Sequence, residues 1–236
     1  RAGYVTGHFG KWHLTNRDIN DAPLPPKYGY DEYGAFNLPG RQIETAETCP
    51  KAIDFIRRNK DKPFFINLWI HETHTPHYPL KKYLAQFKHL NEQQRVYAAI
   101  VAEADAAIGQ VFETLKELKL DEKTLVIFSS DNGPENTGPA TRKQHQDNST
   151  GPGLGTYFSV GTTGGLKGRK RSLMAGGIRV PFIARWPGQI PAGKVNKTSV
   201  LTAVDLLPTF LEIAGAKTPA HYVGDGESIL AALKGQ

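Results

Sequence analysis

Along the chain, short apolar or alternating segments are separated by longer stretches whose apolar residues recur at spacings of three and four. Residues 4–13, 63–70, 124–130 and 178–186 read as strands. The second and third, with Phe64-Phe-Ile-Asn-Leu-Trp69 and Leu125-Val-Ile-Phe128, are nearly continuous apolar runs. That pattern is expected of central strands covered on both faces. Residues 45–59 read as a helix with Ala46, Ile53, Phe55 and Ile56 along one side. Residues 91–119 form a long helical pattern through Val96, Ala99, Ile100, Ala104, Ile108, Val111, Phe112 and Leu115. A third helix, residues 203–214, carries Leu206, Leu207, Phe210, Leu211 and Ile213, and residues 228–234 open a short helical pattern. Alternating strands and helices predict an α/β layered sheet. Residues 133–168 have no periodicity and are rich in Gly, Pro, Thr and Asn. A loop of that length inside a compact domain is usually functional or mobile.

Composition changes this picture little. With 236 residues, 39% hydrophobic and 22% charged, the chain suits one large globular domain or two small ones. No apolar run approaches the roughly 20 residues of a membrane span, and the longest is interrupted by Asn67. Membrane insertion is not expected. A net charge of +6 allows an anionic ligand without requiring one. The single cysteine, Cys49, excludes an intrachain disulfide and a multi-cysteine metal site. The chain opens without an initiator Met, and Gly3 before Tyr-Val-Thr reads as the glycine cap of a helix entering the first strand. These ends lead us to expect a piece of a longer protein.

Four segments could carry chemistry. In Gly10-Lys-Trp-His-Leu14, strand alternation would point Lys11 and His13 to one face and Trp12 to the other. Two such groups side by side suit an anionic oxygen, although an exposed polar edge would look the same. Next, His71, His74 and His77 are spaced by three directly after a buried strand. Pro76 argues against the helix that would align them for zinc. One histidine reaching into a site, with the others at the surface, is the expectation. The turn Asp131-Asn132-Gly133 follows the third apolar strand and offers hard oxygen ligands for Ca²⁺ or Mg²⁺. Two oxygens cannot complete such a site. Finally, Lys167, Arg169, Lys170 and Arg171 stand among glycines before Gly176-Gly177 and a strand. They form a solvated basic loop, a nucleic-acid patch or a loop bringing one cation to a small anion. Without interleaved aromatics, nucleic acid is not the expected partner.

Taken in order and spacing, these segments resemble the type I sulfatases of the alkaline-phosphatase superfamily, as do residues 97–109, 120–128, 185–188 and 205–211. The resemblance spans residues 3–233, sparing much of the insert at residues 133–164, and implies an alkaline-phosphatase-like α/β fold. Its central sheet would be largely parallel or mixed, flanked by helices, and present here as a partial catalytic domain over residues 1–236. It implies a sulfuric ester hydrolase with a formylglycine nucleophile and Ca²⁺. Lys11 matches the lysine that steadies the nucleophile, and His13 matches the histidine that hydrogen-bonds it. His74 matches the sulfate-contacting histidine that protonates the leaving alcohol, and Lys170 matches the lysine that binds sulfate. Asp131 and Asn132 match two calcium ligands.

Two departures stand out. Ala175 replaces the usual glutamate before the Gly-Gly pair. No Cys or Ser is followed by Pro two positions on and Arg four on; Cys49, for instance, is followed by Lys51 and Ile53 at those places. The nucleophile and the paired aspartates completing the calcium site are therefore expected upstream of Arg1, and the chain alone is expected to be inactive. A sulfated small molecule or sulfated glycan is the implied substrate, with Tyr157, Arg142 and His145 as candidates for sugar contact. Export from the cytoplasm is a family expectation. A phosphodiesterase or phosphonate hydrolase of the same superfamily, and a non-catalytic sulfatase-like binding protein, are the alternatives.

Overall fold

The computed structural model describes residues 2–14, 19, 21–38, 43–140, 153–218 and 221–236. Its strands are β1 (Val5–Lys11), β2 (Glu32–Phe36), β3 (Phe64–Trp69), β4 (Val126–Ser129) and β5 (Phe182–Arg185). Its helices are α1 (Thr48–Arg58), α2 (Lys81–Leu84), α3 (Glu92–Glu117), α4 (Ala175–Ile178), α5 (Leu206–Ile213) and α6 (Leu230–Leu233). The first three strands form a parallel sheet in the order β2-β1-β3. The last two pair antiparallel as a separate sheet. The architecture is α/β and alkaline-phosphatase-like, with helices against the parallel sheet.

β1 is the central strand of the parallel sheet although it carries His8, Thr6 and two glycines rather than an apolar run. Its alternate residues serve different layers. Phe9 turns toward α1 and packs with Ala52 and Phe55, with Val5, Phe64, Ile66 and Leu68 around them. His8 packs its ring edge-on against Trp12, Tyr30 and Trp69. The expectation that the runs in β3 and β4 are covered on both faces is not met among the described residues. β3 is an edge of the three-stranded sheet and Trp69 is 40% exposed, while Phe128 in β4 is 47% exposed. Hydrophobic composition reports that a face can be buried, and only the sheet order decides what covers it.

β1 also ends earlier than the sequence pattern suggests. Gly10 has φ +102° and His13 has φ +43°, so the extended alternation stops at Lys11. β2 escapes the pattern because Glu-Tyr-Gly-Ala-Phe is short and its middle residues are small. Gly34 and Ala35 are buried there, beside Phe9 and Gly10 of β1. In α1 the buried stripe is Thr48, Cys49, Ala52, Phe55 and Ile56. Ala46 lies instead in a preceding 3₁₀ turn (Thr45–Glu47) and is exposed. α3 follows its periodicity, starting where the Asn91 side chain accepts a hydrogen bond from the Gln94 amide. Within residues 133–168, the stretch 154–159 is packed against the rest of the chain. Leu154 bridges to His77 through two 2.8 Å backbone hydrogen bonds, and Phe158 is fully buried against Leu84, Val96 and Ala99.

Candidate anion-binding site

Parallel pairing of β1 with β3 brings their carboxyl ends to one edge, with Gly10 opposite Trp69. Gly10 is required there. A Cβ would sit 2.1 Å from the Trp69 carbonyl oxygen and 2.8 Å from Thr48 Cγ2. Beyond it, Trp12 is completely buried and its amide donates to the Phe36 carbonyl at 3.0 Å. His8 Nε2 meets the Lys11 carbonyl at 3.0 Å. With a carbonyl as partner, Nε2 must carry the hydrogen. Burial pushes the His8 pKa down to about 4, so the ring is neutral at physiological pH. Lys11 thus leaves the sheet from a fixed backbone, half-buried, and His13 follows exposed. Trp12 is buried, and His13 reaches its exposed position through a left-handed residue and not by strand alternation.

The segment after β3 supplies the histidines. The His74 amide donates to the His71 carbonyl at 2.9 Å, closing a turn, and the two imidazoles stack with centroids 4.4 Å apart and planes 17° apart. Phe36 presses against His71 from the side. His74 Nδ1 contacts the Thr75 carbonyl at 2.6 Å, so Nδ1 carries the hydrogen. Nε2 is left as an acceptor, and it lies 3.1 Å from Lys170 Nζ.

Burial lowers the pKa of His71 to about 3, assisted by the charges of His74, Lys11, Lys170 and His13. Burial also lowers that of His74. The Thr75 carbonyl and Asp131 act in the opposite direction, and Lys170 and Lys11 add to the depression. These mutual influences put Lys11, His13, His71, His74, Asp131 and Lys170 in one neighbourhood. His77 feels the charge of His74 but is itself fully buried at the Leu154 bridge, with its pKa lowered to about 4, chiefly by burial. The expectation of surface histidines beside one functional histidine is therefore corrected. The spacing of three follows no helix here, and each ring goes where its turn sends it.

Two interlocked loops complete the edge. After β4, the Gly133 amide donates to the Gly177 carbonyl at 2.8 Å, and a Cβ on Gly133 would lie 1.9 Å from the Gly176 oxygen. The amide nitrogen of Asn132 donates to the Gly133 carbonyl at 2.9 Å, which leaves its side-chain oxygen for another partner. Asp131 is exposed, and its carboxylate makes no hydrogen bond or ion pair among the described residues.

The basic run divides its labour. Arg169 donates to the carbonyls of Glu135 and Gly161. Arg171, with φ +73°, pairs with Glu135 Oε1 at 2.5 Å, and Lys167 is exposed. Lys170 alone turns toward His74, with Glu135 Oε2 at 3.4 Å on its other side. Burial would raise the Glu135 pKa, but hydrogen bonds from Arg171 and the Asn136 amide, together with Lys170, hold it below the usual carboxylate range. Glu135 and His71 are the two site residues that sequence reasoning missed. His71 was visible as one of three histidines, whereas nothing local singled out Glu135.

Among the described residues no three His, Cys, Asp or Glu side chains stand close enough to hold a metal ion. Asp131 and Asn132 offer two oxygens at the edge. Tyr157 is half-buried against the Leu84–Phe158 cluster, with its carbonyl accepting from Gln93 Nε2. Arg142 and His145 lie outside the described residues. No described helix is long and apolar enough to cross a membrane.

Comparison with known proteins gives this edge a setting. A family model described as Sulfatase matches residues 1–216. N-acetylgalactosamine-6-sulfatase of Canis lupus familiaris is 32% identical, over 99% of this chain and 47% of its own length. Steryl-sulfatase of Rattus norvegicus is 35% identical, over 81% of this chain and 30% of its own. Among solved structures, Ps i-CgsB in complex with k-i-k-neocarrahexaose superposes with a TM-score of 0.76 at 28% identity, covering 98% of this chain and 55% of that one. The chain spans about half the length of N-acetylgalactosamine-6-sulfatase and less of steryl-sulfatase. With the family model matching most of its residues, the chain belongs to the sulfatase family.

Proposed function

We propose that this chain carries the anion-handling side chains of an arylsulfatase-type sulfuric ester hydrolase, acting on a sulfate monoester of a small molecule or glycan. The observation that carries the reading is the 3.1 Å contact of Lys170 Nζ with His74 Nε2, at a strand-end edge also occupied by Lys11, His13 and an unpaired Asp131. A sulfate monoester is an anion whose transition state puts further charge on the leaving oxygen. Lys170 supplies the fixed counter-charge for the sulfuryl oxygens. His74 is neutral while Lys170 occupies its Nε2. An anion entering between them offsets the ammonium and raises the proton affinity of that nitrogen. His74 Nε2 then takes up a proton from water and delivers it to the leaving oxygen as the S–O bond breaks, a contribution of about 10²–10⁴ in rate. Lys11 and His13 are assigned to steadying the nucleophile.

A formylglycine hydrate would supply the attacking oxygen. No Cys or Ser within these 236 residues meets the required spacing to Pro and Arg, so we assign that group to residues outside them and expect the 236-residue chain alone to be inactive. Asp131, with no protein partner among the described residues, and the free amide oxygen of Asn132 fit a hard cation such as Ca²⁺. Bound there, the ion would add positive charge beside the sulfuryl group. Its remaining ligands, about four or more for a site of six to eight oxygens, would come from elsewhere. Export of the protein is expected with this function.

The test is a panel of sulfate monoesters, phosphate monoesters and phosphodiesters, assayed on the intact protein with and without a chelator. We expect sulfate-ester turnover that the chelator abolishes and that His74→Gln reduces by about 10²–10⁴. Turnover of phosphodiesters with sulfate esters untouched would transfer the site to phosphodiester chemistry. Sulfate binding without turnover would make the protein a binder.

A further inference from the structure

Lys170 is gripped from two sides, and only one of its partners belongs to the chemistry proposed above. His74 Nε2 stands at 3.1 Å and Glu135 Oε2 at 3.4 Å. A free lysine side chain has four rotatable bonds and gives no preference to one direction. Here the side chain is only 19% exposed, and that of Glu135 only 14%, so water screens their attraction weakly.

The backbone around them is built to the same end. The Lys170 amide donates to the Pro134 carbonyl at 3.1 Å. The Arg169 guanidinium holds the Glu135 carbonyl through Nε at 3.2 Å and Nη2 at 2.9 Å. Arg171, 68% exposed, takes the other oxygen of the same carboxylate. Three consecutive basic residues thus converge on one acidic residue, which lies four positions after Asp131. The turn bearing Asp131 and Asn132 and the loop bearing Lys170 are fastened to each other at Glu135.

We propose that Glu135 is a positioning residue for sulfate-ester cleavage: its carboxylate fixes the Lys170 ammonium beside His74 and ties that ammonium to the Asp131-Asn132 turn. The proposal rests on the sulfatase reading of the site. It has a distinctive consequence. Removing the carboxylate leaves the cluster more positive, so an anion is still attracted, but Lys170 is no longer aimed. Misplacement of a catalytic group by about 1 Å costs up to about 10²-fold in rate. The loss therefore belongs in kcat and not in anion binding.

The experiment uses the intact protein with Glu135→Gln, Glu135→Asp, Arg171→Gly and the double variant Glu135→Gln/Arg171→Gly. For Glu135→Gln we expect kcat on a sulfate ester to fall roughly tenfold or more. The inhibition constant of inorganic sulfate should stay equal or fall, and Tm should stay near that of the parent. Glu135→Asp, with the charge retained on a shorter arm, should recover part of kcat. The same kcat loss should appear in the Arg171→Gly background. An unchanged kcat, or sulfate affinity falling in step with kcat and Tm, would overturn the proposal. So would disappearance of the loss in the Arg171→Gly background, because Glu135 would then act only by restraining Arg171. A readout independent of turnover is the ¹⁵N resonance of His74 Nε2, which senses the ammonium 3.1 Å away. Glu135→Gln should shift it, and an unmoved resonance overturns the positioning role. If the parent cleaves no sulfate ester yet that resonance responds, the sulfatase reading falls and the positioning role stands.

Discussion

At the scale of single residues, two glycines do what no other residue could. Gly10 lets β1 pass beneath Trp69, and Gly133 lets the Asp131-Asn132 turn pass beneath Gly176. At Gly10 the positive φ adds conformational strain to the clash for any residue with a Cβ. Gly10→Ala and Gly133→Ala should each destabilise the protein by at least about 2 kcal/mol, seen as a lowered urea midpoint. Loss of sulfate affinity should accompany either one, because each moves a site loop. A midpoint within error of the parent for Gly10→Ala would mean that the strand end is not held as described. The same scale separates cations that look alike in sequence. Lys170 and Arg171 are neighbours, yet one is turned inward to His74 and the other lies out at the rim on Glu135.

At the scale of elements, the seat of α1 on the parallel sheet is the contact that sets where the strand ends lie. Phe55 is fully buried against Phe9, with ring centroids 5.5 Å apart, and meets Phe64 edge-on. Phe55→Ala should cost about 3–5 kcal/mol, because a buried ring is removed and a cavity remains. α1 also meets α3 through the Arg57–Glu117 ion pair, whose side chains are 47% and 58% exposed. Held in water, that pair contributes little, and Arg57→Ala should change stability by less than about 1 kcal/mol. Denaturant titration of the two variants decides which contact holds the helix. Asn91→Ala removes the cap of α3 and should fall between them, at about 1 kcal/mol.

At the scale of the whole molecule, buried histidines link stability to acidity. His8 and His77 are completely buried and have pKa values lowered from 6.5 to about 4. In the unfolded chain both rings would titrate near the ordinary value. Below that value the unfolded state binds protons that the folded state refuses. Stability is therefore complete above about pH 6.5 and declines as pH falls toward 4. A shift of this size corresponds to on the order of 3 kcal/mol per ring. Glu135, with its lowered pKa, adds to the loss at still lower pH. Urea midpoints at pH 7, 5.5 and 4.5 should fall in that order, and a midpoint independent of pH would contradict neutral buried rings.

Much of this protein was legible in its residues alone. The periodicity of α3 and the apolar runs of β3 and β4 are local properties, written at spacings that a single element imposes. Four of the proposed site residues also stand out locally, because Lys11, His74, Asp131 and Lys170 each end or follow a recognisable segment. What the residues could not state was the company each side chain keeps. That β1 rather than β3 is central, that His77 is buried at the Leu154 bridge, and that Arg169, Lys170 and Arg171 converge on Glu135 depend on pairings between distant segments. A hydrogen bond between loops 36 positions apart leaves no period in the sequence, since it constrains two places in space and nothing between them along the chain.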